Sequence, residues 1–75
     1  MEKVNVELSK DEALVLFEFL TRQSESEDLR AEHNSEKIVL SSVVAQLEKS
    51  LSEPFSSNWS AILDLSRKRI NETWS

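Results

Sequence analysis

Five carboxylates fall within residues 25–36: Glu25, Glu27, Asp28, Glu32 and Glu36, opposed there only by Arg30. A group of this kind could hold a hard cation through its oxygens, dock a basic surface, or keep a loop and helix start hydrated. A calcium loop needs ligands at alternating positions and a glycine at its sharp turn, and this stretch has neither. Di-metal helical bundles use Glu-x-x-His pairs on facing helices, and the sequence contains no such pair. We therefore expect no metal and no cofactor. A solvated loop and an acidic docking patch both remain open for residues 25–36.

The other chemistry-bearing residues are few. His33 is the sole histidine and lies in a polar, weakly helical stretch, where it reads as a surface residue. Phosphate loops and dinucleotide folds need glycine, and the chain has none. The Gly-x-Ser-x-Gly elbow is missing for the same reason, and a cysteine nucleophile is missing because the chain has no cysteine. The expectation is a protein that is not an enzyme. Arg67-Lys68-Arg69 with Trp74 is the one nucleic-acid candidate, but three bases near a helix end also suit the helix dipole. Fourteen acids against nine bases weigh against phosphate binding, which draws on clustered lysine and arginine. Nucleic acid is not expected as a partner.

Size bounds what these residues can do. Seventy-five residues make one domain, and a chain this short leaves roughly 40% of its unfolded surface exposed after folding. Small domains are often supported by a disulfide, a metal or a partner. Without cysteine, and with one histidine, the remaining support is a protein partner or self-association. The opening residues, Met1 to Glu7, are of mixed charge and do not resemble a signal peptide. The longest apolar run, Ala13 to Phe17, is far short of the roughly 18 residues of a membrane span. A cytoplasmic location and no membrane association are the expectations.

The elements that must position these residues are helical. Favoured hairpin turns need positive φ, which glycine supplies most readily, so its absence disfavours a sheet. Residues 1–8 read as a short extended arm, from the alternation Val4-Asn5-Val6-Glu7-Leu8. Ser9-Lys10-Asp11-Glu12 is a capping box, with Leu8 and Ala13 at the staple positions. The first helix is expected over about 10–23. Ala13, Leu16, Phe17 and Leu20 form its stripe, and Leu14, Val15 and Phe19 widen it enough for contacts on two sides.

A second helix is expected over about 31–52, with Leu40, Val43, Val44, Leu47 and Leu51 inward. Asn34 and Ser35 weaken its first turns, and Ser41 and Ser42 point outward or bond back to the preceding turn. Pro54 stops it, pushes Glu53 toward an extended conformation, and places Phe55 as an apolar plug under the turn. A third helix is expected over about 59–71, capped by Asn58, with Trp59, Ile62, Leu63, Ser66 and Ile70 inward. Phe17, Phe19, Phe55 and Trp59 are assigned to the core, although Phe19 and Val15 lie off the main stripe and could form an exposed patch. Trp74 lies past the last apolar repeat, where it could fold back or sit at an interface. The expected architecture is all-α: a three-helix bundle, or a helical hairpin with a third helix packed across it.

Two stretches carry a family likeness. Leu8 to Leu16 resembles the L-S/T-x-E/D-E-A-L-V-L start of a family of short, largely uncharacterised bacterial helical proteins. Glu48 to Phe55 resembles that family's E-K-x-L-x-E-P-F turn. The resemblance covers most of the chain up to residue 70 and implies a bacterial origin, a small helical fold and an association with toxin–immunity gene clusters. The sequence departs from the pattern at Ser41 and Ser42, where larger residues would be expected. The functional expectation is a protein-binding module of immunity or antitoxin type. It would neutralise a basic toxin domain through Glu25, Glu27, Asp28, Glu32 and Glu36; Phe19 and Trp74 are further candidate partner-binding residues, suited to an apolar interface. The alternative is a small adaptor, a regulatory subunit or a homodimer acting through an exposed apolar helix face.

Overall fold

The computed structural model describes residues 2–26 and 32–74, with the backbone alone for residues 24–26 and Trp74. The described residues are all-α and form three helices: α1 (Lys10–Ser26), α2 (Asn34–Ser50) and α3 (Trp59–Trp74). A short 3-10 turn, Glu53–Phe55, joins α2 to α3. Helix α1 is the shared element, packing extensively on α3 and less so on α2. The broad apolar face read from its sequence serves those two neighbours.

The capping box forms as its chemistry requires. The Ser9 hydroxyl accepts from the Glu12 N–H at 3.1 Å, and Glu12 Oε1 accepts from the Ser9 N–H at 2.8 Å. Two amides that the helix leaves without partners are thereby satisfied. Leu8 is 40% exposed, so its side chain is only partly covered at the staple position. Residues 2–9 carry neither helix nor strand, and Val4 and Val6 are largely exposed.

Helix ends depart from the sequence expectation in consistent ways. Helix α1 continues three residues beyond Gln23, to Ser26, and α3 continues through Trp74 rather than stopping near Asn71. The apolar stripe runs out at the expected places, but no glycine or proline stands there to end the helix. Helix α2 begins at Asn34, and its expected first residue, Ala31, lies outside the described residues. It ends at Ser50, because Leu51 turns to extended backbone (φ −117°, ψ 132°) while its N–H still bonds the Leu47 carbonyl at 3.0 Å.

The turn itself corrects two expectations. Glu53 begins the 3-10 turn instead of running extended, with Pro54 in the first positions, where a missing N–H is tolerated. Phe55 is not a plug: it is the more exposed of the two apolar residues here, while Leu51 is buried. Leu51 supplies the burial assigned to Phe55. Phe19 likewise is 46% exposed rather than core, with the Arg22 guanidinium 5.8 Å from its ring centre.

Among the described residues, the buried apolar side chains are Leu14 on α1, Leu51 at the turn and Leu63 on α3. Ser66 is the fully enclosed polar residue. On α3, Trp59, Ile62 and Ile70 join Leu63 and Ser66 on the inner face as the spacing predicted, each at least partly covered. On α2, Leu40, Val43, Val44 and Leu47 face inward but none is buried. Ser41 and Ser42 point outward, and Ser42 Oγ accepts from Gln46 Nε2 at 3.2 Å.

Candidate functional site

Two places gather side chains: a polar interlock between α1 and α3, and an open surface along α2. The interlock starts from Ser66, which sits one turn from Leu63 and Ile70 on an otherwise apolar face. A serine enclosed there must find a partner. Its hydroxyl donates to Asp11 Oδ1 at 2.9 Å. Arg69, on the following turn of α3, donates to the same carboxylate through Nη2 (2.8 Å to Oδ1) and Nε (2.9 Å to Oδ2). This two-point grip is the strong form of a guanidinium–carboxylate pair. Arg69 and Ser66 hold the Asp11 carboxyl below its ordinary range, and Asp11 raises Arg69 in return.

Further pairs extend the seam. Arg67 reaches Glu18 at 3.3 Å and Asp64 at 3.6 Å, and Glu18 also takes Arg22 at 3.3 Å. Lys10 meets Glu53 at 3.2 Å, joining α1 to the turn. The Glu53 carboxyl is lowered by its own backbone N–H first and by Lys10 second. Beside the interlock lies an open depression of about 270 Å³, lined by Ser9, Asp11, Glu12, Arg69, Ile70 and Thr73. Asp11 and Arg69 in its lining satisfy each other, and that pair fastens α1 to α3.

The basic cluster read from the sequence is accordingly split. Arg67 and Arg69 turn to carboxylates of α1, and Arg22 is engaged as well. Nothing in the local sequence pairs Asp11 with residues 55 and 58 positions away. The one legible signal was a serine at an inward position.

The second surface is α2 and the arm before α1. Ile38 and Val39 are 62% and 61% exposed, and no residue of α2 is buried. Glu36 stands one turn before Val39 on the same side of the helix. Glu36 Oε1 accepts from the Glu32 N–H at 2.8 Å, which ties the backbone before α2 to its first turn. Further along, Val4, Asn5 and Val6 of the arm and Val43, Gln46, Leu47 and Ser50 of α2 line an open groove of about 400 Å³.

The expected docking residues distribute unevenly over this surface. Glu32 and Glu36 are exposed neighbours at the start of α2. Glu27 and Asp28 lie outside the described residues, Glu25 falls in the last turn of α1, and Trp74 ends α3. Phe19 is half exposed on α1, under Arg22. Ile38 and Val39 were missed as surface residues, because Val39 sits at the margin of the inward stripe and Ile38 outside it. Among the described residues, no three His, Cys, Asp or Glu side chains lie together so as to hold a metal ion. No described helix is long and apolar enough to cross a membrane. No protein-family model, curated protein or solved structure matches this chain.

Proposed function

We propose that this chain is a protein-binding module that acts without catalysis, holding a basic partner domain against the first half of α2 in the manner of an immunity protein. The observation that carries the reading is the exposure of Ile38 and Val39 on a helix with no buried residue. An apolar strip bordered by polar residues is the usual anatomy of a protein interface. Glu36 stands one turn before Val39 and Glu32 is exposed just before the helix, and these acids would steer a basic partner toward the strip. The engagement of Arg22, Arg67 and Arg69 by carboxylates of the same chain favours a protein over a nucleic acid. The family likeness to proteins of toxin–immunity clusters points the same way.

The test is retention of host proteins on the immobilised chain at low and high salt, alongside an Ile38→Ser/Val39→Ser variant. One basic protein, held at low salt, released at high salt and lost with the variant, is the expected outcome. Retention that ignores salt but is lost with the variant would favour the apolar reading, a small adaptor or regulatory subunit. Equal retention by variant and natural chain would end both.

A further inference from the structure

The molecule exposes more surface than a chain of its mass should. Its accessible area is 6256 Å², whereas a compact monomer of 8.6 kDa exposes roughly 4,700 Å². Its radius of gyration is 13.6 Å, against about 11 Å for a compact domain of this length. A standard interface takes about 800 Å² from each partner, well within that excess. The uncovered apolar surface includes the arm, where Val4 is 87% and Val6 77% exposed beside Val43 and Leu47 of α2. Among the described residues, no backbone hydrogen bond is made by residues 2–8 of the arm. Their N–H and C=O groups are open to pairing with another extended segment.

The sequence of the arm says which segment fits. Lys3-Val4-Asn5-Val6-Glu7 is complementary to itself when two copies run antiparallel about Asn5. Val4 then stands opposite Val6 of the other copy, Asn5 opposite Asn5, and Lys3 opposite Glu7. Alternation places both valines of each strand on one face, and the lysine, asparagine and glutamate on the other. Opposite charges directly across an antiparallel pair stabilise it, as do facing β-branched side chains. Parallel pairing would instead set Lys3 against Lys3 and Glu7 against Glu7.

We propose that the arm is a dimerisation strand, pairing antiparallel with the arm of a second copy about Asn5, with the shared valine face closing over Val43 and Leu47 of both α2 helices. This goes beyond the partner reading, since it uses the arm and the second half of α2 and leaves Ile38, Val39, Glu32 and Glu36 free.

The test is the mass of the full chain across a concentration series, by sedimentation equilibrium. Twice 8.6 kDa is expected at the upper end. Lys3→Glu and Glu7→Lys, singly, each set like charges across both ends of the ribbon and should weaken the dimer about tenfold. The double exchange restores opposite charges and should recover most of the loss. Lys3 and Glu7 are exposed, so unchanged helicity by circular dichroism will show that each variant folds. A natural chain that stays single up to about 1 mM, the weak end of the affinity scale, would overturn the proposal. So would a dimer indifferent to either single change, or one that the double exchange fails to restore.

Discussion

Helices α2 and α3 are of nearly equal length, and both pack on α1, yet they are held in different ways. Helix α3 meets α1 with Leu63 against the core, Ser66 enclosed, and Arg67 and Arg69 fastened to Glu18 and Asp11. Helix α2 brings half-covered Leu40, Val43, Val44 and Leu47, and leaves Ile38 and Val39 largely in water. The difference follows from patterning. On α3 the inward stripe is narrow and most of its remaining positions are polar, with Leu65 the large apolar side chain left half exposed. On α2 apolar residues occupy more of the circumference than α1 alone can cover. A helix that is apolar beyond its seam keeps surface for something else.

Core truncation should separate the two regions most sharply. Leu14→Ala or Leu63→Ala should cost about 2–5 kcal/mol. A chain of this length has only about 4–11 kcal/mol in total, so either variant loses much of its stability in urea unfolding. Equal tolerance of both changes would mean that the α1–α3 seam is not the core.

Acidification should act on the same seam. Asp11 and Glu53 both have folded-state values below their ordinary ones, so their contribution is complete above the ordinary carboxylate range. It is lost as pH falls through the lowered values, because the unfolded chain takes up those protons first. Urea midpoints should therefore decline from neutral pH toward pH about 3, and Asp11→Asn should lower the neutral value and flatten the decline. Ser66→Ala removes one donor from a carboxylate that keeps Arg69, and should cost about 1 kcal/mol. The smallest effect belongs to α2. Ile38→Ser should change stability by less than about 0.5 kcal/mol, and a larger loss would show Ile38 to be packed after all.

How far these features could be read beforehand depended on their range. The capping box was legible because Ser9 and Glu12 satisfy each other within one turn. The inward placement of Ser66 was legible from its spacing with Leu63 and Ile70. Its partner was not, since Asp11 lies on another helix and only the packing of α1 on α3 joins them. Phe55 was misread because a residue after proline has no periodicity to orient it, and its burial depends on which neighbour fills the space first. The helix ends were read short at α1 and α3, because apolar repeats mark the buried part of a helix and not its last hydrogen bond. Of the proposed docking surface, Glu32 and Glu36 were picked out by charge alone. Ile38 and Val39 were hidden inside a helix whose apolar residues looked sufficient for a core.

The contrast between α2 and the α1–α3 pair can be measured directly by native-state hydrogen exchange on the dilute chain, read amide by amide. The amides of α1 and α3 that flank Leu14, Leu63 and Ser66 should exchange only through global unfolding, and those of α2 should open earlier and at lower free energy. Equal protection along all three helices would contradict the account, because α2 would then be as firmly held as α3 and would have no surface to spare for a partner.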